Sequence, residues 1–178
     1  MSNVVVVEDK LEAIFNLIPE STFEVSPGVT QVRKKPNYYY GDAKECNALI
    51  KQKGGAIYPL IFQISTNEDQ NPDAVSVTTD LELVICTQNL NEEMNNKTRW
   101  ATSYKNVLIP LLNDVYKALS ESGIVVWDGD YQIDKLPNYS ETPSKDKNSF
   151  IDTVDAILFK ATLTIRGKGC INKTIFNK

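Results

Sequence analysis

The sequence contains no histidine among its 178 residues. That removes the commonest general base and the commonest metal ligand, so a catalytic triad in its usual form is excluded. Cysteine is scarce. Cys46, Cys86 and Cys170 are odd in number and widely separated, which argues against a disulfide framework and fits a reducing compartment. No Cys-x-x-Cys pair occurs, so a zinc site would need three remote thiolates plus a carboxylate, and a cysteine nucleophile would lack its imidazole base. The eight glycines form no phosphate loop. Gly54-Gly55 precedes a strand-like run and Gly167-Lys168-Gly169 follows one, and both read as turn glycines. No apolar run approaches the roughly 18 residues of a membrane helix. Val4–Val7 has neither the length nor the basic leader of a secretory signal, so export by that route is not expected. The triplets at Asn96, Asn138 and Asn172 match a glycosylation sequon but carry no weight without such a route.

Basic blocks are also missing. The formal charge is −4, from 19 basic and 23 acidic residues, and nothing is long enough to neutralise a stretch of duplex. The nearest approach is Arg33-Lys34-Lys35 followed by Tyr38-Tyr39-Tyr40, which could in principle neutralise a phosphate and stack bases. Three charges ending a strand are expected to be solvated instead.

What is present is ordinary globular composition, 42% apolar and 24% charged, which predicts one folded domain over residues 1–178. Val7, Leu11, Ile14, Phe15 and Ile18 recur at helical spacing and Pro19 ends the run. Phe23 to Arg33 reads as two short strands about a Pro27-Gly28 turn. Asp42 precedes a helix with Ala43, Cys46, Leu49 and Ile50 on one face, Glu45 as capping-box partner and Gly54 as stop. Ala56 to Ser65 is a strand-length apolar run, but Pro59 cannot donate to a ladder, so the strand should begin near Leu60.

Thr66 to Pro72 is polar. From Val75 to Ile85 every odd position except Thr79 is apolar, while Ser76, Thr78, Asp80 and Glu82 fill the other face, the pattern of a strand wet on one side. After a polar loop, Thr87 to Lys97, the stripe Trp100, Tyr104, Val107, Leu108, Leu111, Leu112, Val115, Tyr116 and Leu119 predicts the major core helix. Pro110 must kink or restart it, and Gly123 closes it. Ile124–Trp127 and Tyr131–Lys135 are strand candidates. Ile157, Phe159, Ala161, Leu163 and Ile165 alternate against Lys160, Thr162, Thr164 and Arg166. Pro137 to Ser149 has almost nothing to bury and reads as a projecting loop. The predicted class is α+β: a mostly antiparallel sheet packed by one long kinked helix and one or two shorter ones.

Paired carboxylates are the only plausible catalytic apparatus, either Asp128, Asp130 and Asp134 or Asp152 and Asp155. Asp128-Gly-Asp130 lacks the remaining ligands of a calcium loop and reads as a solvated turn. Among the large rings, Trp100 continues the helical stripe and is expected in the core. Trp127 reads as core edge or as an interface anchor. The tyrosine triplet cannot point all three rings one way in an extended chain, so partial exposure is expected.

Five stretches carry a resemblance: Tyr58-Pro-Leu-Ile-Phe-Gln63; Leu81-Glu-Leu-Val-Ile-Cys86; Tyr104-Lys-Asn-Val-Leu-Ile-Pro-Leu-Leu112; Asp134 through Pro137-Asn-Tyr139 to Asp152-Thr-Val-Asp-Ala-Ile157; and Leu163-Thr-Ile165. In order, across roughly residues 5 to 166, the chain resembles the tail terminator proteins of long-tailed bacteriophages, especially versions from phages of Bacteroides-type hosts. None of these strings is an active-site motif. The resemblance implies a virion structural protein of the head–tail neck, assembled in the bacterial host cytoplasm and active as no enzyme. It would be a subunit of a homo-oligomeric ring, a hexamer in the family, that caps the tail tube and docks to the head connector. Double-stranded DNA would meet it only as cargo, with no membrane and no cofactor or metal involved. On that reading the loops at residues 137–149 and 87–97 become contact candidates. The candidate interface residues are Tyr38, Tyr39, Tyr40, Asn138, Tyr139, Lys145 and Lys147. The runner-up is a small carboxylate-dependent or metal-assisted enzyme or ligand-binding domain, which predicts a closed pocket with convergent acids. A nucleic-acid accessory protein using Arg33 to Tyr40 ranks last.

Overall fold

The computed structural model describes residues 4–53, 57–88, 96–139 and 154–177. Helix α1, Val7–Phe15, buries Val7, Leu11, Ile14 and Phe15. Two tighter bonds, Leu17 N to Ile14 O (3.1 Å) and Ile18 N to Phe15 O (3.0 Å), carry the turn on to the buried Ile18 before Pro19. Strands β1, Ser21–Ser26, and β2, Val29–Arg33, pair antiparallel as a separate two-stranded sheet. Gly28 takes the φ of +77° that the turn between them requires.

Strand β3, Asn37–Gly41, leads into α2, Ala43–Lys53, through the capping box expected at Asp42. Asp42 Oδ1 accepts from Lys44 N (2.7 Å) and Glu45 N (2.8 Å), while Glu45 Oε2 accepts from Asp42 N at 2.8 Å. The expected stop at Gly54 lies outside the described residues. Strand β4, Leu60–Ile64, begins just after Pro59, where the missing donor costs no ladder bond.

The segment expected to be merely polar holds a short strand, β5, Glu68–Asn71, paired antiparallel with β6, Ser76–Gln88. Its stabiliser is long-range: the Gln70 amide accepts from Val5 N (3.1 Å) and donates to Val5 O (2.8 Å). Four polar side chains give no periodic signal, so only the pairing reveals the strand.

The major helix runs in three segments: α3, Asn96–Arg99; a π-helical stretch, Trp100–Leu108; and α4, Ile109–Glu121. Pro110 stands in the first turn of α4, where its missing N–H is tolerated. The wider turn before it ends with Ile109 N bonded to Tyr104 O, five residues back. That register moves the buried stripe to Arg99, Ser103, Tyr104 and Leu108 and swings Trp100 out to 45% exposure. The core placement expected for Trp100 assumed a uniform 3.6-residue period and is corrected on that ground.

Strands β7, Val125–Val126, and β8, Gln132–Tyr139, pair with β9, Val154–Arg166. Pro137, Asn138 and Tyr139 therefore belong to β8, not to the start of a projecting loop. The ladder shifts register between Leu136 and Tyr139, a bulge that accommodates Pro137 and the φ of +53° at Asn138. The rest of the predicted loop, from residue 140, lies outside the described residues.

These strands form a seven-stranded sheet in the order β3-β4-β6-β9-β7, with β5 also on β6 and β8 also on β9. Every pairing is antiparallel except β3 with β4. The α+β class is as the pattern predicts, and one correction concerns the two longest strands. The odd positions of β6 and β9 face α1 and the long helix in the main core. Their far ends are also buried on the other face, where Val84, Cys86, Val154 and Ala156 pack with Cys46 and Ile50 of α2. Helix α2 thus covers half of that face and leaves Asp80, Glu82, Lys160 and Thr162 on the bare half.

Candidate functional site

Five of the seven candidate interface residues divide between the two edges of the sheet. Tyr38, Tyr39 and Tyr40 lie on the edge strand β3, and Asn138 and Tyr139 end the opposite edge strand β8. Lys145 and Lys147 lie outside the described residues.

The triplet alternates as an extended chain must. Tyr38 faces the main core, its ring 5.5 Å from Phe15, and its hydroxyl donates to Gln63 Oε1. Tyr39 faces the α2 core. Only Tyr40 stands mainly in solvent, at 56% exposure. The partial exposure expected of the triplet therefore comes down to Tyr40 as the ring available to a partner.

Beside it, the expected solvation of the basic run fails at one residue. Arg33 is 2% exposed, while Lys34 and Lys35 are exposed. Its Nη2 donates to Asp114 Oδ2 at 2.6 Å and to Pro19 O at 3.2 Å, and its Nε donates to Ser21 Oγ at 2.9 Å. One guanidinium thereby ties the root of the β1–β2 hairpin to α4 and to the end of the α1 turn. Burial lowers the Arg33 pKa and raises that of Asp114, each against the pull of its partner.

At the other edge a buried polar clasp holds the β8 bulge. Asp155 is fully buried, and its Oδ1 lies 3.2 Å from Arg99 Nε, close enough for an ion pair but not aligned as a hydrogen bond. The same oxygen accepts from Asn138 N at 3.3 Å, and Arg99 Nη2 donates to Asn138 Oδ1 at 3.1 Å. Asp155 Oδ2 and the Tyr139 hydroxyl are buried and have no hydrogen-bond partner among the described residues. Above the clasp, Trp100 stacks on Tyr104 at 5.9 Å and carries the Lys135 ammonium 4.6 Å over its ring.

No family model matches this sequence, and no curated protein does.

Near the same edge, Trp127 and Tyr131 pack on the buried Phe159, with centroids 6.0 Å and 5.3 Å from its ring, and Tyr116 packs on those two rings in turn. Trp127 is half-buried, in keeping with a core-edge ring, and its Nε1 donates to Asp130 O at 2.9 Å. Asp128 Oδ1 accepts from Asp130 N at 3.0 Å around Gly129, so Asp128-Gly-Asp130 is a turn closed on itself.

The carboxylates singled out from the sequence do not converge as a group. Asp155 belongs to the clasp, Asp134 is exposed on β8, and Asp152 lies outside the described residues. Asp128 and Asp130 do meet two acids that sequence reading placed only on a wet strand face. With Asp80, Glu82, Tyr131 and Lys160 they line an open cleft of about 580 Å³ on the bare half of the sheet. There Asp80 Oδ1 accepts from Thr162 Oγ1 at 2.6 Å, and Glu82 pairs with Lys160 at 3.1 Å. Among the described residues no group of three or more potential ligands is placed to hold a metal ion. None of their helices is long and apolar enough to cross a membrane.

Sequence reading missed Arg99, Asp155 as a structural acid, and the exposed Val29 and Val32 of β2. Strand β2 is apolar at both parities with neither set buried, so period two could not assign it a face.

Burial also delays the ionisation of Tyr38 and Tyr104. Desolvation, then the Asp155 charge, pushes Tyr104 up to about 12, and desolvation with Glu8 and Glu12 raises Tyr38 further. Both phenols hold their protons longer in the fold than in the unfolded chain, whose tyrosines titrate near 10. Their contribution to stability is therefore intact below about pH 10 and is lost as pH rises toward the folded values. Ultraviolet titration of the native protein should show Tyr38 and Tyr104 ionising late, with Tyr104→Phe removing one late group. All eight tyrosines ionising together below pH 11 would contradict the burial described.

Proposed function

We propose that this chain is a ring-forming structural subunit of the head–tail neck of a long-tailed phage, capping the tail tube and docking to the head connector. The phage assignment is supported by the five resembling stretches, which fall in chain order on β4, β6, the long helix, β8 with the start of β9, and the end of β9. The observation that carries the reading is the open sheet. Among the described residues its outer strands β3 and β8 each have one hydrogen-bonded neighbour, on opposite sides of the same sheet. Two different free edges favour a head-to-tail contact, which generates rings where the rotation closes. The acidic balance of the chain also suits a channel through which DNA slides without adhering.

The cleft lined by Asp80, Glu82, Asp128 and Asp130 favours a second reading, a ligand-binding or carboxylate-dependent domain. Light scattering on the purified protein at several concentrations, alone and with isolated tail tubes, separates the two. A ring-sized species, or monomer captured only at tube ends, is the expected result. A monomer indifferent to tubes would sink the ring reading, and calorimetric titration with Mg²⁺ or Mn²⁺ would then test the cleft.

A further inference from the structure

We infer that the β1–β2 hairpin is an arm by which one copy of this chain grips the next, its outer strand β2 joining the free β8 edge of the neighbour. The inference rests on the ring reading and names the two surfaces that make the contact. The hairpin is hydrogen-bonded to no other strand among the described residues, and its neighbour in space is the π-helical stretch, which β1 touches. From Val29 to Val32 every side chain is exposed, with Val29 at 49% and Val32 at 55%. An isolated two-stranded sheet is marginal in water, and its outer strand offers a row of unpaired N–H and C=O groups. This one does not swing freely, because the Arg33 bonds to Asp114, Pro19 and Ser21 fix its root.

Charge selects the occupant. Copies of a chain with net charge −4 repel one another, so they meet best through surfaces of little or opposite charge. Residues 21 to 32 hold a single charged residue, Glu24, in a chain where 24% are charged, and the exposed cations Lys34 and Lys35 follow at the root. The β8 edge is acidic on balance and so the complement, with exposed Tyr131 and Ile133 beside the exposed carboxylates of Asp128, Asp130 and Asp134, against one exposed cation, Lys135, held over the Trp100 ring. Lengths match as well: β2 has five residues, and β8 pairs regularly with β9 over Gln132–Leu136, up to its bulge. The β3 edge is the poorer receiver because Lys34 and Lys35 flank it and would face their own kind. Arm and receiver are different surfaces, so the contact strings copies head to tail and can close into a ring.

Two variants of the full chain test this. In a Cys170→Ser background, where Cys46 and Cys86 are buried, Val32→Cys combined with Ile133→Cys should oxidise to a ladder of covalent multimers, while either alone stops at dimer. Independently of register, Lys34→Glu with Lys35→Glu should weaken association about tenfold or more by setting like charges together, and adding Asp130→Lys with Asp134→Lys should restore it. A ladder or a restored association supports the arm. Neither, in a protein that still assembles to a ring-sized species, overturns the arm and leaves the ring reading standing. A protein that stays monomeric alone and beside tail tubes overturns both.

Discussion

Phe159→Ala is expected to lower stability by about 3–5 kcal/mol, the cost of an aromatic cavity in a packed core. Phe159 is fully buried on the inner face of β9, the strand that bonds β6 on one side and β7 and β8 on the other. Its ring meets Trp127 edge-on and stacks on Tyr131, so it joins the main core to the sheet edge that carries β8. Truncation removes apolar burial and also withdraws the floor beneath two half-exposed rings, which can close the void only by leaving their own contacts. For a chain of this size the midpoint should fall on the order of 10 °C. Urea unfolding followed by Trp127 fluorescence, with Trp100→Phe to remove the second reporter, is the measurement. A loss under about 1 kcal/mol would mean that the edge folds independently of the core. Where the ring reading holds, the same variant should assemble poorly, because the receiving edge is no longer held in place.

Asp114→Ala is expected to cost about 3–5 kcal/mol for a different reason: it strands a guanidinium that has no exposed atoms. The Arg33 side chain already keeps one buried nitrogen, Nη1, without a partner among the described residues. With Asp114 gone, the remaining acceptors are the neutral Pro19 carbonyl and the Ser21 hydroxyl. The pKa directions show how the pair is balanced, since burial outweighs attraction at both groups. The Asp114 carboxyl is raised above its unfolded value. Its contribution is therefore most favourable at low pH and diminishes as pH rises from the unfolded carboxylate value through the folded one, so acid unfolding does not start from this pair. Replacing both partners by apolar side chains, Arg33→Met with Asp114→Leu, should recover most of the loss, because no charge is left buried. Chemical denaturation of Asp114→Ala, beside a cycle of Arg33→Met, Asp114→Leu and the double variant, decides the matter. If Asp114→Ala proves harmless, Arg33 is not the clamp described, and the root of the hairpin is held by something else.

These expectations depend on different kinds of information. Phe159 was legible from sequence, because it alternates with Ile157, Ala161, Leu163 and Ile165, and period two alone puts those residues on one face of a strand. The α1 stripe, the Gly28 turn, the Asp42–Glu45 box, the start of β4 and the inner face of β6 were legible for the same reason. Each is written in residues within a few positions of one another, where backbone geometry decides the neighbours. The α+β class followed from their order.

Arg33 was not legible, since its partner Asp114 lies 81 positions away and no local rule distinguishes a paired Arg from a solvated one. Trp100 was misplaced because a helix of i→i−5 bonds uses the same kinds of residue as an α-helix while turning them through a different angle. Strand β5 exists through its pairing with β6, and the second buried face of β6 and β9 exists through the landing of α2. The candidate surfaces divide in the same way. That the tyrosines of β3 would be partly exposed follows from an extended chain. That β3 and β8 become opposite edges of the described sheet, with a sparsely charged hairpin outside it and acids beside the far edge, was decided only when strands distant in sequence paired. Sequence by itself determined the elements with a periodic apolar pattern and the face by which most of them seek the core, because those are local properties. Tertiary structure alone decided which edges stay open and which charges are buried, because both depend on what the rest of the chain brings alongside.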